Sequence, residues 1–149
     1  MQIRSATYQD FDGIKTIFSV AFDDEYGQRG VDILHRIQRI QKLYPMVKAL
    51  SYFPNAYQDL FNVHVCEIDG RIAALLQTSA RNACKSRWHI DNIAVHPDFR
   101  GQGLAKKLLE DLFERCNAQG GLRYTLEVDT RNTPAISLYE KLGFLKYAT

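Results

Sequence analysis

"VHPDFRGQGLAKKLLEDLF", residues 95–113, carries the transition on which the fold turns. An apolar strand ends at Val95, and His96-Pro97 breaks it, because proline has no N–H to give to a sheet ladder. Gly101 and Gly103 then flank Gln102 just ahead of a helical pattern. Leu104, Leu108, Leu109, Leu112 and Phe113 recur at helical spacing and predict one buried face. Gly120-Gly121 stops that helix, and "LRYTLEV", residues 122–128, reads as a strand. Strand 88–95, helix 102–118 and strand 122–128 therefore form a βαβ unit, right-handed and with parallel strands.

Upstream of this unit, "NVHVCEI" and "RIAALLQTSA" are separated by Asp69-Gly70, a strong hairpin signal. "RWHIDNIAV" follows as the strand that enters the glycine turn. At the start, "MQIRSA" reads as a short strand, and Thr7 with Asp10 three residues on resembles a capping box. Phe11, Ile14, Ile17, Phe18 and Ala21 give the next helix its apolar face, and Val31, Leu34, Ile37, Ile40 and Leu43 predict a second helix ended by Pro45. Residues 46–61 are aromatic-rich and interrupted by Pro54, a short helix or loop. Downstream, residues 133–142 form a helix with Gly143 as its C-cap, and "FLKY", residues 144–147, is expected as a last short strand. The order is β-α-α-β-β-β-α-β-α-β: one domain over 1–149, a mixed α/β (α+β) sandwich with helices on both faces of its sheet.

Composition narrows the class. The apolar fraction is 46% and the charged fraction 24%, ordinary for a globular protein. A formal charge of +2 is too small to imply a nucleic-acid partner by itself. The longest aliphatic run, Ile72 to Leu76, is far too short to span a bilayer, and the N-terminus has no apolar signal-peptide region. Cys66, Cys84 and Cys116 are widely spaced and contain no C-x-x-C, which reads as structural thiols in a reducing, cytoplasmic compartment. His35, His64 and His96 show no metal spacing, so no metal is expected.

The glycine turn is a natural anion site. N–H groups at a helix start lack intrahelical partners, and the helix dipole adds partial positive charge. Glycines keep such a turn open, and Arg100, Lys106 and Lys107 add charge nearby. Two phosphate loops are excluded. No stretch supplies G-x-x-x-x-G-K-[ST], and the dinucleotide fingerprint fails because its third glycine position is Lys106. Taken alone, the hexapeptide could equally be a plain strand-to-helix connection.

It does not stand alone. "RGQGLA", Arg100 to Ala105, resembles the Arg/Gln-x-x-Gly-x-Gly/Ala signature of the GCN5-related N-acetyltransferase (GNAT) superfamily. "NTPAISLYEKLGF", Asn132 to Phe144, is similar to that family's N-x-x-A-x-x-L-Y-x-x-x-G-F motif, and "IRSATYQDFDGI" to its first strand and helix. The segment containing "TLEV" looks especially like the ribosomal-protein N-terminal acetyltransferases. The resemblance implies a mostly antiparallel sheet with a central splayed parallel βαβ unit, and acetyl-CoA as cosubstrate. It implies that the pyrophosphate sits on the N–H groups of Gln102, Gly103, Leu104 and Ala105, led in by Arg100 and Gly101, with Lys106 close by. It also implies that the pantetheine pairs with the backbone of Ile93, Ala94 and Val95, with Asn132 and Ala135 near it.

Acetyl transfer from a thioester to an amine needs a neutral amine, donors for the developing oxyanion, and a proton for the departing thiolate. Tyr139, at the family's tyrosine position, is the candidate acid, and a buried core aromatic is the alternative reading. Asn132 would bond the pantetheine, cap the following helix, or do both. Glu127 matches the proposed base of the ribosomal-protein enzymes, and a carboxylate in a closing apolar cleft suits that task. His89 and Asp91, which share a strand face, are its rivals, and a mechanism without a dedicated base remains open.

The acceptor is less legible. The resemblance implies that residues 23–61 help to read it. That stretch holds Tyr26, Tyr44, Tyr52, Phe53 and Tyr57, which could line a pocket or lie half-buried under a loop. Arg29, Arg36, Arg39 and Lys42 read as a solvated face. A small amine and a protein or peptide amine are both expected as classes of acceptor. Only six residues follow Gly143, too few for the family's C-terminal antiparallel strand. A longer polypeptide, a strand from a partner chain in a homodimer, or an open site would each answer that. A non-catalytic acyl-CoA-binding module, or a catalytic piece of a larger protein, are the alternatives to an enzyme complete in this chain.

Overall fold

A computed structural model of the chain describes residues 1–22, 42, 62–81 and 85–147. The expected second helix and the segment 46–61 lie outside these residues, apart from Lys42, which is helical. Five strands form one sheet in the order β1 (Gln2–Ser5), β2 (Val63–Ile68), β3 (Arg71–Ala80), β4 (Arg87–Val95) and β5 (Arg123–Leu126). The first three pairings are antiparallel and β4–β5 is parallel, which gives the mixed, mostly antiparallel sheet. Among the described residues, it is covered by the helices α1 (Phe11–Phe22), α2 (Leu104–Asn117) and α3 (Thr133–Lys141). No described helix is long and apolar enough to cross a membrane.

The helices divide between the two faces. Ile14, Ile17 and Phe18 of α1 pack on Val65, Leu75 and Ala94. On the other face, Leu104, Leu108, Leu109, Leu112 and Cys116 of α2 pack on Cys66, Ala74, Leu76, Trp88 and Ile90, joined by Tyr139 of α3. Phe113, expected in this core, is only partly buried and meets Tyr124 and Phe144 edge-on or tilted. Cys66 and Cys116 are buried free thiols, and burial pushes both thiols up from their ordinary range.

The hairpin signal at Asp69-Gly70 gives a two-residue turn with both residues at positive φ, 50° and 75°, closed by the Ile68–Arg71 pair. At the start of α1, the capping arises differently from the expected box. Asp10 Oδ2 accepts from both Thr7 N (2.6 Å) and Thr7 Oγ1 (2.9 Å), so the carboxylate reaches back while the hydroxyl donates to it. A single turn of 3-10 helix, Tyr8–Asp10, precedes α1.

The expected strand at 144–147 does not form. Gly143, at φ 89°, donates to Glu140 O, and Phe144 N donates to Tyr139 O at 3.0 Å, which is a Schellman closure of α3. The Phe144 ring then packs against Tyr139, 5.8 Å between centroids. The local helix stop uses the N–H that a ladder would have needed.

β1, the start of α1 and β2 are tied by one guanidinium. Arg4 donates to both oxygens of Asp10, at 2.8 and 2.9 Å, and to Glu67 Oε2 at 2.6 Å. Asp10 is 6% exposed, so this pair is partly desolvated. Arg4 holds the Asp10 carboxyl down at about 2. On the other side of β2, burial, and then the charge of Arg115, push His64 down to about 4.

Asp10→Asn is expected to destabilise the chain by about 1–3 kcal/mol in urea denaturation, because it removes a charged acceptor from Arg4 and Thr7. Both shifts also make folding acid-sensitive. His64 is favoured neutral in the fold, so its contribution is complete above about pH 6.5 and is lost as pH falls toward about 4. The Asp10 contribution is complete above about pH 4 and is lost as pH falls toward about 2. Thermal melts should fall through the first window in the parent chain, and His64→Gln should flatten that part of the profile.

Candidate functional site

The site begins with an irregularity in β4. Gln77 pairs with Asn92 and Thr78 with Ile90, so Asp91 is an extra residue, a β-bulge. Its effect is visible in the packing: Ile90 belongs to the core beneath α2, and so do Ile93 and Val95, whereas Ala94 faces α1. A regular strand would have sent Ile90 and Ile93 to opposite faces.

Pairing with β5 stops at the same place. The parallel register runs from Arg87–Arg123 to Ile90–Leu126 and ends. Beyond it, β4 is paired through Asn92, Ile93, Ala94 and Val95 with β3 alone. The residues expected to line the pantetheine thus present a free backbone edge among the described residues. After Val95, His96 caps a short 3-10 turn, Pro97–Phe99, and the chain enters the glycine turn.

Gly101 and Gly103 sit at φ 75° and 72°, the left-handed region that disfavours side chains. A Cβ at either position would meet nothing within 4 Å, so backbone conformation and not packing selects glycine. Gly103 is the N-cap of α2, which begins at Leu104 and so two residues later than the spacing predicted. Lys107 N is the first to find a backbone acceptor, Gly103 O at 3.1 Å. Among the described residues, the N–H groups of Gly101, Gln102, Gly103, Leu104, Ala105 and Lys106 have no backbone acceptor. Leu104 anchors the turn from below at 2% exposure, while Arg100, Gln102 and Lys106 are exposed around it.

α3 arrives beside this edge. Asn132 caps it by accepting from Ala135 N at 3.2 Å, as the capping reading expected. Asp129 and Arg131 tighten the preceding turn through three contacts of 2.8–3.0 Å. Tyr139 is 7% exposed and lies in the same cluster as Leu104 and Ile90, with Ile93, Val95, Val128 and Ala135 packed on it. The core-aromatic reading of Tyr139 therefore describes its ring, which belongs to the cluster that Ile93 and Val95 of the open edge also join.

The three proton-acceptor candidates lie on the opposite face. Trp88 and Ile90 point to the α2 core, so His89 between them points away, and Leu126 and Val128 do the same for Glu127. Glu127 is exposed, just past the end of β5. Asp91 accepts from Ser79 Oγ at 3.1 Å and is 3.8 Å from Arg81. His89 Nδ1 is 2.9 Å from Thr125 Oγ1. Sequence reading missed two of these features. The bulge was visible as Ile90 and Ile93 three apart in a strand, and Thr125 had no signal until its cross-strand partner was known. Among the described residues, no three His, Cys, Asp or Glu side chains cluster as metal ligands would.

A family model described as "Acetyltransferase (GNAT) family" matches residues 31–144. The chain belongs to the GNAT acetyltransferase family. A [ribosomal protein bS18]-alanine N-acetyltransferase of Haemophilus ducreyi is 36% identical over 112 residues, covering 74% of this chain and 73% of that one. The Salmonella typhimurium protein of the same name is 49% identical over 53 residues, and the match spans only 36% of either chain. Among solved structures, the Escherichia coli ribosomal-protein-S18-alanine N-acetyltransferase superposes with a TM-score of 0.70 at 24% identity, covering 99% of this chain and 79% of that one. The PaiA N-acetyltransferase of Thermoplasma acidophilum, solved in complex with coenzyme A, gives 0.76 at 15% identity over 99% and 91%. These structural likenesses speak to the GNAT fold.

Replacing Gly101 or Gly103 by alanine should cost about 1–2 kcal/mol of stability each, from left-handed strain alone. Urea denaturation should report the loss, with the far-UV spectrum unchanged because no clash is introduced.

Proposed function

We propose that this chain is an acetyl-CoA-dependent N-acetyltransferase that moves an acetyl group to a primary amine by direct attack in a ternary complex. One observation carries the reading. Among the described residues, a strand edge left unpaired beyond a bulge leads, through one short 3-10 turn, into a left-handed glycine turn whose N–H groups have no backbone acceptor. The two halves fit the two halves of the cosubstrate. An amide-bearing arm can pair with the edge at Ile93, Ala94 and Val95 as an added strand does. A pyrophosphate can take the N–H groups of Gln102, Gly103, Leu104 and Ala105, with Arg100, Gly101 and Lys106 around it. Acetyl-CoA, when bound, supplies an activated thioester.

The chain's own residues do the rest. Asn132 fixes the start of α3, and Ala135 leaves room beside the edge. Tyr139, held in its cluster by Phe144, donates a proton to the departing thiolate. Glu127, exposed where the strands part, takes a proton from the incoming ammonium and passes it to water. Backbone N–H groups of β4 serve the developing oxyanion. A protein amino terminus is the acceptor class we favour, supported by the names of the bacterial relatives and by a Schizosaccharomyces pombe relative named N-alpha-acetyltransferase 30, 31% identical over 75 residues.

Acetyl-CoA at a hundredfold its Kd should stabilise the chain by about 2.7 kcal/mol, a rise in Tm of roughly 5–10 °C. With peptides of varied amino terminus and with small amines, CoA release should be fastest with a peptide. Tyr139→Phe should lower kcat by about 10²-fold while leaving acetyl-CoA affinity intact. Absence of any acetyl-CoA-dependent shift in Tm sinks the reading. Tight binding without turnover, unaltered in Tyr139→Phe, makes the chain a binding module instead.

A further inference from the structure

His89 and Thr125 face each other across β4 and β5, one pair before the strands part. Nδ1 of the ring and Oγ1 of the hydroxyl are 2.9 Å apart, and either could donate. The neighbouring contact favours one direction. Thr125 Oγ1 also lies 3.4 Å from the carbonyl oxygen of Trp88, and a carbonyl can only accept. A hydroxyl has one hydrogen. Given to Trp88 O, it leaves Oγ1 to accept from the ring, so the hydrogen of the neutral imidazole sits on Nδ1 and the lone pair on Nε2.

Proton balance assigns that lone pair a task. This step rests on the acetyltransferase reading. An ammonium, R–NH3+, that becomes an amide, R–NH–C(O)CH3, loses two protons and not one. The first must leave before attack, since only the neutral amine has a lone pair. The second leaves as the N–C bond forms and the C–S bond breaks. Glu127 is exposed and can hand the first to water. His89 is half-buried on the same face, a position suited to the second.

We propose that Thr125 is a positioning residue that holds His89 as the Nδ1–H tautomer, so that Nε2 accepts the second proton from the attacking amine. Tyr139 gives its proton to the thiolate, and water later restores it. His89 and Glu127 each return a proton to water. The sum is one amide, one thiol and one proton released per turnover, which balances. Asp91 is left out of this relay because Ser79 and Arg81 already engage its carboxylate.

The test has one arm that needs no activity. Long-range 1H–15N spectra of the labelled chain at neutral pH should show the His89 ring protonated at Nδ1, the signal being assigned by its loss in His89→Gln. Thr125→Val should move the ring toward the Nε2–H form, and Thr125→Ser should restore it. In CoA-release assays with a peptide acceptor, Thr125→Val should lower kcat about tenfold with the KM for acetyl-CoA unchanged, and Thr125→Ser should recover it. His89→Gln should lose about 10²-fold in kcat. An Nε2–H ring in the parent chain, or full kcat in His89→Gln, overturns the proposal. Should the parent chain neither bind acetyl-CoA nor release CoA, the reaction itself fails and the role of His89 with it, while the ring spectrum still reports on the Thr125 contact. Thr125→Ser keeps the hydroxyl and the fold, so the comparison does not depend on how well the valine variant tolerates its change.

Discussion

One residue too many in β4 controls the site. Asp91 has no register partner in β3, and a strand that carries such a residue bends and twists more sharply than its neighbours. The parallel pairing with β5 ends one residue before the bulge, at Ile90–Leu126. Past that point the two strands answer to different partners. β4 stays on β3 as far as Val95. Past β5, Val128 is still packed on the cluster that holds Tyr139. An edge is opened without unfolding either strand, because each keeps a packing surface of its own.

The bulge also changes which side chains face which way. Ile90 and Ile93 both enter the α2 core, so the apolar face is continuous across the irregularity. The strand can therefore deliver Val95 into the same core just before the glycine turn, and Leu104 re-enters it just after. The turn is pinned at both ends by buried apolar contacts while its own backbone stays exposed. That arrangement fixes the N–H groups of the turn in advance, which in the proposed function would lower the ordering cost of binding an anion.

Much of this was legible where local chemistry leaves few choices. Asp69-Gly70, Gly101, Gly103 and Gly143 all adopt the positive φ that their positions imply, since few other residues tolerate it. Ile14, Ile17 and Phe18 form the face that their spacing predicts. Reading failed where local and distant forces compete. "FLKY" has the composition of a strand, yet Phe144 closes α3 because its N–H and ring find Tyr139 five residues back before any strand is within reach. Thr125 is an ordinary β-former in sequence, and only a partner 36 positions away makes it distinctive. The bulge is encoded in the spacing of Ile90 and Ile93, but a strand's two-residue alternation does not reveal it without the register on β3.

The two faces of the sheet hold different chemistry. Tyr139 and the first turn of α2 lie with the α2 apolar cluster on one side. His89, Thr125 and Glu127 lie on the other, among polar neighbours such as the Gln77–Asn92 amide pair at 2.8 Å. An intact sheet would keep these groups apart, because a hydrogen-bonded backbone layer separates side chains on its two faces. The parting of β4 and β5 is the gap in that layer among the described residues. In the proposed reaction, an acid acting on the thiolate and acceptors acting on the amine must reach one carbonyl from opposite directions. A splayed strand pair meets that requirement, with the candidate proton acceptors His89 and Glu127 near the end of the β4–β5 register and the candidate acid Tyr139 on α3.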